Sequence, residues 1–404
     1  MTISVNKVFV ICLIYQSISN VASRPDGTNE ILSFPSDTIQ IIQTESSQVS
    51  FTAKKEITEN VVVSFNYSDS FLQVEPNSIT LTPSKSDATI TITGLEVQSL
   101  LYVDIAMCSF NGTDPCTPQP TDSFLRVKVI HSNFLNYLVT ITGWIYFIAW
   151  SISFYPQIYL NFKRKSVVGL NFDFLLLNII GFSCYTIYNV LLYSDHYVQD
   201  LYLKVHQRAL IPVLLNDVVF AVHALFACFI TVIQCCLYTR ENQKVSYTCY
   251  GLSSTLIIVA LVSYALSLFQ TINLLQFINI LSFLKMAVTL SKYFPQVLLN
   301  YRRQSTIGWS IGNVVLDFTG GFMDIVQMIL QALNTNDWTG FYGNPVKFGL
   351  GLVSMVFDVV FIIQHYCLYH HANEPQGVEY EGIDTVPNNE SLTDNSQQDA
   401  TENV

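Results

Sequence analysis

Charge is what this sequence has least of. Only 12% of its 404 residues are charged, about half the share of an ordinary soluble chain, and that deficit excludes a soluble globular enzyme. Bases are scarcer than acids, 19 against 30. Outside short loops they form no patch, which excludes a nucleic-acid-binding protein. No nucleophile–base pair, nucleotide loop or metal-ligand spacing occurs either, so neither an enzyme nor a cofactor is expected. Cys184, Cys228, Cys235, Cys236, Cys249 and Cys367 lie in or beside apolar runs and read as small packing residues. His223 reads as a hydrogen-bonded core histidine.

What is present is apolar surface, at 50% of residues. Residues 1–136 carry 7 bases and 13 acids, residues 137–369 carry 12 and 9, and residues 370–404 carry no base and 8 acids. The middle block also holds runs of about 20 apolar residues, enough to cross a hydrocarbon core. The pattern is a polytopic membrane core embedded in a lipid bilayer, with a polar domain before it and an acidic tail after it.

Residues 1–23 read as a signal peptide, with Lys7 ahead of the apolar Val8 to Ile18 and small residues at Val21-Ala22-Ser23. Residues 24–136 read as an exported β domain. Short β-branched and aromatic runs recur at Thr38–Thr44, Val61–Asn66, Ser78–Leu81, Thr89–Thr93, Leu100–Ser109 and Phe124–Ile130, with turn residues between them, which predicts a small β-sandwich. Asn66 and Asn111 head glycosylation sequons. Cys108 and Cys116, the two cysteines of residues 24–136, are expected to pair in an oxidising compartment.

Seven apolar runs follow, centred on Leu135–Phe154, Phe174–Tyr193, Val218–Tyr238, Gly251–Phe269, Leu274–Leu299, Ile311–Leu333 and Val346–Tyr369. The loops after the first, third and fifth carry Lys163, Arg164, Lys165, Arg240, Lys244, Arg302 and Arg303, whereas the opposite loops carry only Lys204, Arg208 and Lys347. The positive-inside rule places the first set in the cytosol. The β domain is then lumenal and the tail after Tyr369 cytosolic.

A shift of 139 residues lays Tyr155-Pro156-Gln157, Asn161, Arg164, Ser166 and Gly169 on Phe294-Pro295-Gln296, Asn300, Arg303, Ser305 and Gly308, and Asn178 and Gly181 on Asp317 and Gly320. A shift of 141 lays Asp217-Val218-Val219-Phe220 on Asp358-Val359-Val360-Phe361. The fold class is therefore an all-α membrane core of seven helices: two parallel three-helix repeats, about residues 137–238 and 274–369, plus a connector helix. Such repeats are a transporter architecture with substrate bound near the midplane. Pro156 and Pro295, beside Gln157 and Gln296, interrupt their helices at matching places and make natural hinges.

The duplicated Pro-Gln motif, each copy followed by a basic loop and Ser-x-x-Gly, resembles the PQ-loop transporter family. Residues Gly143–Asp173, Asn216–Tyr238 and Lys285–Tyr369 resemble its lysosomal cystine–proton symporters, notably over Trp144–Phe154, Leu316–Gly321 and Lys347–Gly351. The similarity spans nearly all of residues 137–369 and is weak over the β domain. It implies proton-coupled export of L-cystine from the lysosome, with L-cystine and protons as the partners carried.

Ionisable groups at membrane depth are costly and need a reason. Here they are Asp217, Lys285, Lys292, Asp317, Asp324 and Asp358. Lys285 and Lys292 are expected two turns apart on one helix face, and Asn313, Asp317, Gly320 and Asp324 share another. Two ammonium groups near carboxylates suit a zwitterion, while structural ion pairs are the competing reading. Asp317 points to function because its repeat partner, Asn178, is neutral; for Asp217 and Asp358 both readings stand. The resemblance implies that Asp317 couples protons, that Trp150, Asn178, Lys292, Tyr293 and Asn313 lie at the cystine site, and that Lys285, Asp217 and Asp358 support coupling. Asp324 departs from the family pattern. It adds a titrating group or pairs with Lys285 or Lys292.

The tail lacks the Gly-Tyr-Asp-Gln-Leu ending of many lysosomal members. Tyr380-Glu381-Gly382-Ile383 resembles instead a sorting signal read by clathrin adaptors, and the rest of the tail, without bases, is expected to be disordered. Two other readings stay open: a carrier of a different amino acid, and a sorting receptor or member of a nutrient-sensing complex that transports nothing.

Overall fold

The computed structural model describes residues 32–34, 38–53, 57–112, 114–116, 124–206, 208–339 and 345–373. The proposed signal peptide and the Tyr380–Ile383 motif lie outside the described residues.

The N-terminal part is two sheets around one core. Strands β1 (Leu32–Ser33), β3 (Ser46–Ala53), β7 (Asp87–Gly94) and β5 (Leu72–Glu75) form the first, in the order β1-β3-β7-β5. Strands β2 (Thr38–Ile42), β10 (Phe124–Ile130), β8 (Gln98–Phe110), β4 (Val61–Asn66) and β6 (Ser78–Leu81) form the second in that order, with β9 (Asp114–Pro115) on β8. All pairs are antiparallel except β2 with β10. Alternation along each strand explains the packing: Val61, Val63 and Phe65 turn inward and meet Ile90 and Ile92 of the opposite sheet. Cys108 and Cys116 are joined as a disulfide. Strands β3 and β5 were not expected from sequence. Each is short of bulky residues, with Val49 and the pair Leu72 and Val74 supplying the buried contacts.

Strand β10 runs into the membrane-length helices through Ser132, whose side chain accepts from the Phe134 amide and caps the first helix. Seven helices are long and apolar enough to cross a membrane: Asn133–Arg164, Phe172–Ser194, Leu215–Leu237, Tyr247–Leu268, Leu274–Arg303, Ile311–Thr335 and Gly351–Leu368, here spans one to seven. Seven crossings put the β domain and the last helix on opposite sides, termed the domain side and the basic side.

Spans one and five are each broken at the same place. Span one is Asn133–Ile152 and Phe154–Arg164, jointed at Ser153; span five is Leu274–Ser291 and Tyr293–Arg303, jointed at Lys292. Lys292 sits at the joint with helical backbone, its amide bonded to the Val288 carbonyl, and both it and Lys285 face the same cavity. Beyond each short helix the chain turns through a left-handed residue, Lys165 or Gln304, to a glycine of positive φ, Gly169 or Gly308.

The two Pro-Gln turns clasp each other. Gln157 Nε2 donates to Asn161 Oδ1 (2.9 Å) and to the Gly308 carbonyl (3.0 Å), while its Oε1 accepts from the Ser310 amide (2.8 Å). Gln296 makes the same three bonds with Asn300, the Gly169 carbonyl and the Asn171 amide, at 2.9, 3.0 and 2.8 Å. Asn161 donates to Gln234 Oε1 (2.9 Å) and Asn300 to Gln364 Oε1 (3.0 Å). Gln234 then donates to the Ile158 carbonyl, and Gln364 to that of Val297. All of these side chains are buried. A closed network of this kind is strong in a low-dielectric interior.

The network corrects one expectation. Gln234 and Gln364 are structural equivalents, so the third helices of the two repeats are related by a shift of 130, not 141. The match of Asp217-Val218-Val219-Phe220 to Asp358-Val359-Val360-Phe361 is a coincidence of composition. The physical cause is the additional helix His196–Val205 between spans two and three, which lengthens the first repeat and lowers the shift from 139.

Candidate functional site

A cavity of about 600 Å³ lies among the spans, within the range of small-molecule sites. Its wall includes Trp150 of span one, Asn178 of span two, Asp217 and Cys228 of span three, Lys285, Lys292 and Tyr293 of span five, Asn313, Asp317 and Asp324 of span six, and Asp358 of span seven. The six costly charges named from the sequence, Asp217, Lys285, Lys292, Asp317, Asp324 and Asp358, are thus brought to one place. Gln157 also reaches it, whereas Pro156, Pro295 and Gln296 stand behind the wall in the clasp.

Asp317 is held by two hydroxyl groups. Its Oδ2 accepts from the Tyr293 hydroxyl (3.2 Å) and the Ser354 hydroxyl (3.2 Å), which are themselves 2.8 Å apart. Trp150 Nε1 donates to the Asp317 carbonyl at 3.2 Å. That contact depends on Gly320, one turn on, because a Cβ there would overlap the Trp150 indole. Asn178 Oδ1 accepts from Lys292 Nζ (3.0 Å), and its amide donates to Cys228 Sγ (3.2 Å).

With the corrected register the site acquires a simple logic. A shift of 139 carries Asn178 to Asp317, and 130 carries Cys228 to Asp358. The touching pair Asn178–Cys228 of the first repeat is replaced in the second by two carboxyl residues, Asp317 and Asp358, on the same cavity wall. Asp358 Oδ2 is buried and without a hydrogen-bond partner among the described residues. Lys292, whose counterpart is Ser153, donates to Asn178 of the neutral pair and shares the cavity wall with both acids.

Neither lysine is in an ion pair among the described residues. Lys285 Nζ lies 4.3 Å from the Phe182 ring centroid and 5.8 Å from that of Tyr185; Lys292 Nζ lies 4.7 Å from that of Tyr293. Such contacts partly offset desolvation without neutralising charge. The structural ion pairs weighed from sequence, including Asp324 with either lysine, are not formed there. Asp217 lines the cavity but also caps its own helix, its Oδ2 accepting from the Leu214 amide at 2.9 Å. His223 is hydrogen-bonded as expected, 2.6 Å from the Tyr155 hydroxyl.

Sequence reasoning missed Cys228, Ser354 and the aromatic wall of Phe174, Phe182, Tyr185 and Trp309. Cys228 was legible only through the shift of 130. Nothing in the sequence marked Ser354. The aromatics were indistinguishable from ordinary helix-packing residues.

Comparison with known proteins follows the same repeat. The PQ loop repeat family model matches residues 138–198 and 277–337, segments offset by the 139 residues found above. A cystinosin homolog of Caenorhabditis elegans is 52% identical over 312 residues, 77% of each chain. The cystinosin of Bos taurus is 37% identical over 82% of this chain and 89% of its own. The chain belongs to the cystinosin family of PQ-loop proteins. A cystine transporter of Saccharomyces cerevisiae is more distant, 27% identical over 59% of this chain and 97% of its own. Membership makes the chain a multi-pass membrane transporter and not an enzyme.

Proposed function

We propose that the chain carries L-cystine, together with protons, out of the acidic lysosomal lumen into the cytosol by alternating access. The observation that carries this reading is the pair of ammonium groups, Lys285 and Lys292, facing one cavity with four carboxyl groups and no ion-pair partner among the described residues. Cystine has two carboxylates for the lysines and two ammonium groups for the acids. Leaving the two lysines outside any ion pair among the described residues keeps their charges for the substrate, and a site built around such groups discriminates strongly against molecules without matching ones. The curated names of relatives as cystinosin and cystine transporter support the same substrate.

Asp317 is the proton-coupling residue in this reading, with Asp358 and Asp217 assisting. Protonation from the lumenal side accompanies cystine binding. The substrate-binding wall is Trp150, Asn178, Lys285, Lys292, Tyr293, Asn313 and Asp317. The clasp of Gln157 and Gln296 over Gly308 and Gly169 closes the basic side, so the cavity is presented to the domain side. Parallel repeats jointed at Ser153 and Lys292, next to Pro156 and Pro295, are the moving parts. The basic loops make that side cytosolic. The β domain is lumenal and glycosylated at Asn66 and Asn111, both exposed, and Tyr380 with Ile383 recruits a clathrin adaptor.

The test is labelled-cystine uptake and current in cells expressing the chain cut after residue 373, which exposes the domain side to the medium. Inward current with cystine, growing as external pH falls, is expected. Confirmed surface protein without cystine flux refutes the reading and brings forward another amino acid or a non-transporting receptor.

A further inference from the structure

The β domain grips the mouth of the cavity. Arg126 of β10, buried, donates through Nε and Nη2 to the Arg208 carbonyl (3.1 and 3.0 Å) and through Nη2 to that of Ala209 (3.4 Å). Asp104 of β8 takes the Arg208 guanidinium at 3.0 Å, which also stacks against Tyr102 and Phe124, 5.3 and 5.2 Å from their centroids. Arg208 itself holds a left-handed backbone, φ +63°, a conformation that persists in a non-glycine residue only where surroundings impose it. Four residues later Pro212 and Val213 form part of the cavity wall, just ahead of Asp217.

The same domain holds a second element. Ser99 donates to the Asp337 carboxylate, His131 Nε2 lies 3.1 Å from Asn336 Oδ1, and the Ser132 amide donates to Asn334 Oδ1 at 2.9 Å. Residues 334–337 end span six, which carries Asp317 and Asp324 and packs along span one. The domain is therefore fixed at one edge to the segment that leads into Pro212 and Val213 of the cavity wall, in the first repeat, and at the other to the end of span six of the second.

We propose that this bridge positions the lumenal wall of the cavity, so that Arg126, Asp104 and Arg208 are positioning residues for transport and the domain sets how far the lumenal mouth opens. The inference rests on the proposed transport cycle for its consequence, but its geometry can be read without substrate. Charge complementarity, two-point attachment and a backbone held left-handed at the point of grip all lie between the domain and the wall. A domain that served only as a shield needs none of them.

The test uses the full chain with Cys236 and Cys367 replaced by serine and Val213→Cys added. Val213 is 5% exposed, so an impermeant maleimide labels it slowly while the grip holds. Arg126→Gln is expected to speed labelling at least threefold and to raise the KM for cystine with a smaller change in kcat. Asp104→Arg is expected to act the same way, and adding Arg208→Asp to it to recover part of the original labelling rate. If Arg126→Gln fails to fold, the Asp104→Arg pair carries the measurement. Unchanged labelling and unchanged KM in a folded variant overturn the proposal. A parent chain that moves no cystine yet shows the labelling change refutes the proposed function and leaves the bridge standing.

Discussion

Replacing Gly308 by alanine should disable the basic-side closure. Gly308 has φ +99°, and a Cβ on it would overlap the Val168 carbonyl oxygen and stand 2.9 Å from Gly169 Cα. Backbone strain for an L-residue in such a conformation is about 1–3 kcal/mol. The overlap is with main chain, so no rotamer relieves it, and the two turns must separate. Separation forfeits the bond from Gln157 to the Gly308 carbonyl, about 1 kcal/mol net. A total near 3 kcal/mol lowers the population of the domain-side-open state about 100-fold. Apparent affinity falls with the fraction of competent carrier, so the KM for cystine offered at the domain side should rise roughly 10- to 100-fold. The assay is initial uptake by the truncated, surface-expressed chain, alongside melting of purified protein. Gly112→Ala is the control: φ is +79° but nothing lies within 4 Å, so it should carry strain without touching transport. A Gly308→Ala carrier with normal KM would refute the gate.

Lys292→Ala removes a charge-assisted contact worth about 1.5–3 kcal/mol; the KM for cystine should rise about tenfold or more at normal surface level, and equal affinity would remove Lys292 from the site. Asp317→Asn should abolish the dependence of cystine flux on external pH, measured as current against pH, and intact coupling would defeat the assignment. Gly320→Ala drives a methyl group into the Trp150 indole, and should lower the melting temperature and impair uptake together. Outside the membrane, burial pushes the Asp337 carboxyl up, but hydrogen bonds from Ser99 and Thr339 and the nearby Lys128 outweigh it and hold the group below its usual range. A depressed carboxyl contributes stability above its unfolded value, about 3.9, and loses it as pH falls through the lower folded value. Asp337→Asn should therefore melt earlier than the parent at pH 5 to 7, with the two curves converging once the pH falls below the carboxyl's lowered folded value.

Much of the architecture is local and therefore legible. Span lengths follow from apolar runs against a fixed hydrocarbon thickness, and the expected runs fall on all seven membrane-length helices. Strands Val61–Asn66, Ser78–Leu81 and Phe124–Ile130 have the expected bounds, because alternation and flanking turns are properties of a few neighbouring residues. The offset of 139 survives because the Pro-Gln turns it relates are short, polar and rigid. The candidate site was equally visible as a set of charges, since each ionisable group in an apolar run stands out against its surroundings.

Which charges meet was not a local matter. The sequence pairs Asp217 with Asp358 through four matching residues, but depth in the bundle is set by everything that precedes a helix, including the inserted helix His196–Val205. Only the buried bonds of Gln234 and Gln364 fix the register, and they move Asp358 from the partner of Asp217 to the partner of Cys228. Composition determined by itself that this chain crosses a membrane seven times and carries lysines and acids within it. Tertiary structure alone decided that these acids and lysines line one cavity, that both lysines are left without an ion-pair partner among the described residues, and that the β domain is bonded both to residues 208–209 and to the end of span six. Hydropathy and motif are carried by neighbouring residues, whereas the contacts that set register join helices more than 60 residues apart in the chain.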